Sequence, residues 1–353
     1  MLGQERRPEP GRNYYNLIDC STGSSPDQKE SVAASVDILS TGGDFPSESL
    51  CLSQQERDLA KEPPLPPISI NWHCWPHCNY HCRFCFATFR DVPGILPREE
   101  ALRVPQLLAE AGCQKLSFVG GEPTLCPYLG DLLYESKQIG LTTMLISNGT
   151  GLSNVFLEKN VESLDWIGLS IDSANEATQA ALGRGYGHHI RDTVAIWHRL
   201  EDLGIPRKLN TVVTALTWQE DMRPLIDGLA PNRWKVFQVL PIEGQNDGRV
   251  EGLLITEDQF LRFIEQHQEQ FPVYETNEAM QGSYVMLDAL GRFFQNTTGR
   301  LVYSQSILEI PVIDALNQVG WDSSRFLRRK GLYDWSSKRW IFDQSNGLRV
   351  KRA

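Results

Sequence analysis

Short β-rich runs alternate with helical ones from residue 68 to residue 240, and that alternation leaves few folds open. Ile68–His73, Lys115–Val119, Thr142–Ser147, Trp166–Ile171, Lys208–Val213 and Trp234–Leu240 read as strands. Arg98–Ala111, Leu129–Ile139, Ile190–Leu203 and Met222–Leu229 read as helices. Strand, helix and strand in succession make a parallel βαβ unit with the helix on one face of the sheet. About six strands fit the span. The expected fold is therefore α/β: an open, partial (β/α)6 barrel rather than a complete eight-unit one.

The barrel is expected over residues 65–245. Ahead of it, residues 1–64 are rich in Ser, Gly, Pro, Asp and Glu and lack sustained apolar periodicity, so they are expected to be disordered. Residues 246–353 read as a C-terminal α+β extension, with helix Glu257–Gln270, hairpin Ser283–Gln295 and helix Ser306–Gln318. From Trp321 onward nine Lys/Arg face three Asp, a local net of +6 in a chain of net charge −10. Two readings of that tail stay open. It is a solvated surface, or its interleaved Phe326, Tyr333, Trp335 and Trp340 order it over a bound anion.

The charge of −10 argues against general nucleic-acid binding and against adhesion to anionic membranes, though a local pocket can oppose the global sign. No basic start followed by an apolar core suggests a secretory signal. No apolar run approaches the roughly 18 residues that span a bilayer. A reducing cytoplasm is the expected setting.

Eight cysteines are present, and four of them, Cys74, Cys78, Cys82 and Cys85, fall within twelve positions. In a chain this long that is a metal-site distribution and not a disulfide framework. Cys78-Asn-Tyr-His-Cys82-Arg-Phe-Cys85 follows directly on the first strand, at the rim where barrel enzymes place their chemistry. Three thiolates and no fourth suit an iron–sulfur cube with one iron left open. The competing reading is a structural zinc site completed by Cys74, His73, His77 or His81. Cys20, Cys51, Cys113 and Cys126 suggest no second site.

CxxxCxxC followed by an aromatic, here Phe86, together with Gly120-Gly121-Glu122-Pro123 one βα unit later, resembles the radical S-adenosylmethionine (SAM) superfamily. Within it the chain resembles the viperin family over roughly residues 68–335. The shared pieces are Cys78 to Phe86, Arg233-Trp-Lys-Val-Phe-Gln238, Ile242-Glu-Gly-Gln-Asn246, Ser283-Tyr284 with Leu287-Asp288, and Ser306-Ile-Leu308. The amphipathic helix that anchors the vertebrate enzymes to lipid is not evident, which suits a cytoplasmic relative without membrane attachment. The resemblance implies a [4Fe–4S] cluster on Cys78, Cys82 and Cys85, SAM as the second cofactor, and an antiviral lyase. Its substrate would be CTP, UTP or GTP, converted to the 3′-deoxy-3′,4′-didehydro analogue. A 5′-deoxyadenosyl radical would take the hydrogen at ribose C4′ and the 3′-hydroxyl would leave as water. A one-electron reductase, flavodoxin or ferredoxin would be the partner.

For SAM, the resemblance and the strand ends point to Phe86, Gly120, Gly121, Glu122, Asn148, Ser170 and Arg184. The glycines are expected to let backbone approach the ligand, and Glu122 to receive its ammonium. For the triphosphate the candidates are Lys115, Lys208, Asn210, Arg233 and Lys235. Lys208 and Asn210, like Arg233 and Lys235, are two apart on one strand and so share a face. Cations aimed into a barrel need an anion; the alternative is that their stems snorkel outward between helices. The C-terminal extension is expected to close over this site. Val119 stands where the family has a small hydroxyl residue, which removes one phosphate hydrogen bond. Tyr284 is the candidate hydrogen donor, or electron and proton relay, to the product radical.

Two other functions compete. The GTP cyclase class of radical SAM enzymes holds further clusters on C-terminal cysteines, and here the last cysteine is Cys126. A zinc-stabilised nucleotide-binding module would explain the cysteines but not Gly120–Pro123 or the inward cations.

Overall fold

A computed structural model of the chain describes residues 66–335 and the two strand segments 340–343 and 348–351. The expectations for residues 1–64, for Cys20 and Cys51, and for the side chain of Trp340 lie outside the described residues.

Six parallel strands, β1 (Ser69–Trp75), β2 (Lys115–Gly120), β3 (Thr142–Ser147), β4 (Trp166–Ser170), β5 (Arg207–Val213) and β6 (Arg233–Gln238), pair in sequence order. Residues of opposite parity face opposite sides. Ile70, Trp72, Leu116, Phe118, Ile167, Leu209 and Val236 enter the apolar core, while their neighbours Asn71, His73, Lys115, Ser117, Lys208, Asn210, Arg233 and Lys235 line an inner cavity. The sheet thus has an apolar face toward the helices and a polar concave face.

The C-terminal residues extend this sheet. β7 (Val273–Glu275) adds in parallel to β6, and β8 (Val285–Leu287) adds in parallel to the far side of β1. β9 (Arg292–Gln295) and β10 (Val302–Ser306) continue antiparallel. The strand order is β10-β9-β8-β1-β2-β3-β4-β5-β6-β7, with no ladder joining the two ends, so the barrel is partial and open. Side chains cross the seam instead: Lys235 on β6 and Glu275 on β7 both bond the Tyr284 hydroxyl beside β8.

Three expected helices are shorter than their apolar pattern. Arg98–Ala111 divides into α1 (Arg98–Ala101) and α2 (Val104–Glu110), because Pro105 has no N–H to donate to the carbonyl one turn back. The helix expected from Ser306 starts only at α10 (Val312–Asn317), since Pro311 holds the preceding residue out of helical conformation. The one expected over 257–270 is α8 (Glu257–Gln266) followed by a single 3₁₀ turn at Gln268–Gln270. The others are α3 (Leu129–Gln138), α4 (Asn154–Asn160), α5 (Glu176–Ala181), α6 (His189–Asp202), α7 (Arg223–Leu229), α9 (Asn277–Met280) and α11 (Ser323–Arg328). For residues 321–335 the solvated-surface reading does not hold. Phe326 and Trp335 are buried, and α11 packs this segment against the barrel.

Candidate active site

A cavity of about 310 Å³ occupies the concave side of the sheet. Cys78, Cys82, Cys85 and Phe86 line one end, and Lys115, Lys208, Arg233, Lys235 and Tyr284 the other.

The cysteine loop leaves β1 and is held from both sides by backbone. Gly121 N–H donates to the Trp75 carbonyl (2.7 Å) and Glu122 N–H to the His77 carbonyl (2.8 Å). A Cβ on Gly120 or Gly121 would collide with the carbonyl oxygens of Trp75 and His77. These glycines are therefore required by the packing of the loop base on the end of β2, a nearer cause than the approach to a ligand that the sequence suggested. On the other side Arg83 N–H donates to the Leu182 carbonyl (2.9 Å). Gly183, at φ +80°, sits where a Cβ would strike the His81 carbonyl. Cys74 is on the opposite face of β1, its thiol toward the Val119 carbonyl (3.7 Å), and so does not share the loop's cavity. His73 does line the cavity, but edge-on to Phe86, Phe89 and Phe294, and burial pushes its pKa down to about 3.

The residues expected to hold SAM gather at the same end. Glu122 is buried and accepts four hydrogen bonds: from Thr124 N–H and hydroxyl, from Ser147 hydroxyl (2.7 Å), and from Asn148 N–H (2.7 Å). It ties the ends of β2 and β3 together. Asn148 donates to Asn79 in the cysteine loop (2.9 Å) and points its amide at the Cys78 sulfur (3.8 Å). The Ser170 carbonyl, at the end of β4, accepts from His189 Nε2 (2.7 Å), and His189 Nδ1 in turn meets the Tyr80 hydroxyl (3.4 Å). With Nε2 as the donor, Nδ1 is the acceptor, and the chain from Ser170 through His189 to Tyr80 braces the cysteine loop. Arg184 is buried, ion-paired with Asp172 and stacked on Phe84 in the loop at 5.5 Å. Burial pushes the Cys82 thiol up to about 12, with Arg184 pulling the other way. The Cys78 and Cys85 thiols are also raised by burial.

The cation end is assembled differently. Lys208 and Arg233 are register partners on β5 and β6, and Asn210 and Lys235 form the rung above. Lys115 stands across the cavity on β2, its ammonium 3.1 Å from the Tyr333 hydroxyl and 4.6 and 4.8 Å from the Tyr333 and Trp335 rings. Arg233 stacks on Tyr333 at 3.9 Å, and its buried Nε has no partner. The Asn210 Oδ1 is likewise buried without a partner. Lys208 makes no ion pair or hydrogen bond among the described residues and faces the cavity. Burial, reinforced by neighbouring cations, pulls Lys115 down to about 7 and holds Lys208 well below the usual lysine range. All five residues point into the cavity, so the snorkelling alternative does not describe them.

Two partners at this end, Arg329 and Glu275, were not foreseen, whereas Tyr333 is one of the tail aromatics expected over a bound anion. Arg329, from the tail, pairs with Glu275 (3.3 Å), donates to the Ser283 carbonyl (3.0 Å) and stacks on Tyr284 at 3.7 Å. Glu275 is fully buried and also pairs with Lys235 (2.6 Å). Burial alone would raise its pKa, but Lys235 and Arg329 hold it below the usual carboxylate range. Tyr333 closes the cavity over Lys115 and Arg233. Tyr284 donates to Glu275 and accepts from Lys235 Nζ (2.7 Å). Asp172, beneath Arg184, was also missed, although it lies two residues past Ser170 and so shares its side of the chain.

Residues 72–223 match the radical SAM superfamily. An S-adenosylmethionine-dependent nucleotide dehydratase of Flammeovirga pacifica is 43% identical over 277 residues, covering 76% of this chain and 96% of that protein. One of Lacinutrix mariniflava is 41% identical over 282 residues, 77% of this chain but only 59% of that protein's length. A Danio rerio protein of the same description is 36% identical over 297 residues, 80% and 82% of the two chains. Among solved structures, Streptococcus suis SuiB bound to S-adenosylmethionine superposes with TM-score 0.57 at 15% identity, covering 74% of this chain and 67% of SuiB, a likeness of fold alone. Among the described residues no helix is long and apolar enough to cross a membrane. With a shared fold, a matching superfamily region and relatives of this identity and coverage, the chain belongs to the S-adenosylmethionine-dependent nucleotide dehydratases of the radical SAM superfamily.

Proposed function

We propose that this protein dehydrates a nucleoside triphosphate, CTP, UTP or GTP, to its 3′-deoxy-3′,4′-didehydro analogue, in the reducing cytoplasm and with electrons from a one-electron reductase. The observation that carries this reading is a single cavity with three thiols at one end and, at the other, five cations around one carboxylate, Glu275. Cys78, Cys82 and Cys85 fit a [4Fe–4S] cluster. They are three soft donors on one short loop, facing one cavity, with Cys74 turned away. Among the described residues no three His, Cys, Asp or Glu side chains converge as around one metal ion, whereas each thiolate of a cube ligates a different iron. When bound, the cluster and SAM supply a hydrogen-abstracting radical by reductive cleavage of the sulfonium.

The chain's own residues provide placement. Phe86, Gly120, Gly121, Glu122, Asn148, Ser170 and Arg184 hold SAM between the loop and the ends of β2, β3 and β4. Lys115, Lys208, Arg233, Lys235 and Arg329 hold the triphosphate, with Asn210 offering a carbonyl to a hydroxyl. Five cations stand against the one carboxylate they contact, Glu275. A triphosphate with about four negative charges near neutral pH compensates the remainder. Binding the phosphates at that end turns the ribose toward the cysteines. Tyr284 then sits at the boundary, its hydroxyl held between Glu275 and Lys235, where a proton can be delivered to the sugar. Tyr333 and Trp335 exclude water from the phosphate end.

The test is anaerobic. Protein reconstituted with iron and sulfide is reduced, given SAM, and assayed with each of the four NTPs by mass spectrometry. The expected result is 5′-deoxyadenosine together with one NTP converted to a product lighter by one water. SAM cleavage with every NTP unchanged would overturn the substrate assignment, and a colourless protein that leaves SAM intact would overturn the cofactors.

A further inference from the structure

Each of the three loop cysteines has neighbours anchored to a different part of the sheet rim. Beside Cys78, Asn79 donates to the Thr150 hydroxyl (2.9 Å) and accepts from Asn148 (2.9 Å), just past the end of β3. Around Cys82, the His81 and Arg83 N–H groups donate to the carbonyls of Gly183 (3.3 Å) and Leu182 (2.9 Å). Around Cys85 the anchor is the turn Ile242-Glu-Gly-Gln-Asn246, to which the proposed reaction assigns nothing. Asn246 is fully buried and donates to the Phe84 carbonyl (3.0 Å), one residue before Cys85. The same amide donates to the Leu240 carbonyl (2.9 Å) and accepts from the Ile242 N–H (2.8 Å), so it cannot turn. Gln245, also buried, takes hold on the other side of Cys85. Its Oε1 accepts from the Phe89 N–H (2.7 Å) and the Thr88 hydroxyl (2.9 Å), and its Nε2 donates to Asp91 (2.6 Å). Phe89 stands at φ +51°, a left-handed backbone that a buried aromatic adopts only where its surroundings impose it. The outer end of the turn is tied down as well: the Glu243 N–H donates to the Gly299 carbonyl (2.8 Å), and Glu243 pairs with Arg300 (2.7 Å).

We infer that Gln245 is a positioning residue that sets where the Cys85 thiol and Phe86 stand in the cavity. The inference rests on the reading of the three cysteines as cluster ligands. Cys85 and Phe86 both line the cavity, on a short span whose two ends are held by Asn246 and Gln245. A shift at Phe89 therefore passes to Cys85, four residues back. Glutamine suits the place because one side chain accepts from two donors and still donates to Asp91, while adding no charge beside the thiols. Hydrogen bonds one step removed from a metal ligand orient that ligand and tune what it holds. Placement matters here because a radical formed at the loop serves the sugar only at close range. A misplacement of about 1 Å can cost about a hundredfold in rate. Loss of the brace should let SAM be cleaved without dehydration, the 5′-deoxyadenosyl radical taking its hydrogen from an organic buffer molecule in place of ribose C4′.

The experiment uses the full chain, first without cluster and then reconstituted. In cluster-free protein, iodoacetamide alkylation of Cys78, Cys82 and Cys85 is followed by peptide mass spectrometry. Gln245→Leu should speed alkylation of Cys85 about tenfold while Cys78 and Cys82 stay near their wild-type rates. Gln245→Glu keeps the acceptor for Phe89 and Thr88 but sets a second acceptor against Asp91, and should move Cys85 the same way by less. Gln245→Glu/Asp91→Asn restores a donor between the two positions and should return Cys85 toward wild type; this pair decides the matter if Gln245→Leu does not fold. Thr143→Val is the control: it removes a buried bond to the Ser163 carbonyl (2.6 Å) at the start of β3, away from the loop. In reconstituted protein, 5′-deoxyadenosine formed per nucleotide dehydrated should rise severalfold in Gln245→Glu, fall back in the double variant and stay unchanged in Thr143→Val. Equal acceleration at all three cysteines, no acceleration at Cys85, an unchanged product ratio, or a control that moves as far would overturn the positioning role. A wild type that takes up no iron would instead overturn the cluster reading, and the alkylation rates, measured without cluster, would still decide whether Gln245 holds Cys85.

Discussion

The two ends of the cavity solve opposite problems. At the cysteine end the side chains that tie the loop to the strand ends are paired: Glu122 takes four hydrogen bonds, Arg184 has Asp172, and His189 joins Ser170 to Tyr80. At the cation end Lys208, the Arg233 Nε and the Asn210 Oδ1 have no partner among the described residues. A buried, satisfied network rigidifies the structure that holds it, whereas a buried, unsatisfied one stores free energy that a ligand releases. One end is a scaffold complete in itself; the other is completed by what binds.

The largest expected effect breaks the scaffold end. Asp172→Asn leaves the Arg184 guanidinium buried without its counter-charge and also weakens the bond from the Val212 N–H (2.9 Å). Removing one partner of such a pair costs about 3 kcal/mol or more, so the apparent Tm of the ligand-free protein should fall by several degrees. The loop that Arg184 stacks on should loosen with it, seen as faster hydrogen exchange over residues 78–86. An unchanged Tm would mean that the pairing at this end is not structural, and the contrast between the two ends would collapse.

Lys208→Met makes the reverse prediction at the other end. It removes an uncompensated charge from a half-buried position on the cavity wall while keeping the stem's volume, so the ligand-free protein should become more stable, by about 1 kcal/mol. The nucleotide should bind about tenfold more weakly, the loss of one charge-assisted contact. The discriminating readout is the pair of thermal shifts: up without nucleotide, and a smaller increment on adding it. A fall in stability without ligand would show that Lys208 has found an anion or carbonyl partner of its own.

How much of this contrast could be read in advance depended on where each residue comes from. Strands β1–β6 were legible because their runs of β-branched and aromatic residues recur between helical stretches. The inward positions followed from the period of two, which put Lys208 with Asn210 and Arg233 with Lys235 on one face. Asp172 was within reach of the same reasoning, at two residues past Ser170, but lies in the loop after the strand. Glu275 and Arg329 were not. Glu275 belongs to a three-residue strand too short to show alternation, and Arg329 reaches the site only because α11 returns the tail to the barrel. Both depend on long-range packing, which leaves no local signature. Gly120 and Gly121 stood out in the sequence as a place where backbone approaches a ligand, and the structure shows a different close approach there: the space they vacate is filled by the carbonyls of Trp75 and His77.

The smallest and most specific effect is in protonation. Lys115, pulled down to about 7 by burial and by Arg329 and Arg233, has an ordinary value of 10.5 in the unfolded chain. Between those values the unfolded chain holds the proton and the folded one does not, so stability rises with pH from about 7 to 10.5. Below about 7 both states are protonated and the penalty is constant. Lys208, lowered in the same direction, adds to the same slope. Bound triphosphate supplies the missing negative charge and restores both ammonium groups, so nucleotide binding should take up protons, and its affinity should fall as pH rises above about 7. Calorimetry of one nucleotide in two buffers of different ionisation enthalpy reads the uptake directly. Uptake of a substantial fraction of a proton near pH 8, reduced in Lys115→Met, would tie the unpaired charge of this end to the ligand that completes it. A heat independent of buffer would mean that these lysines are already charged in the free protein, and the two ends would then differ in geometry but not in how they are compensated.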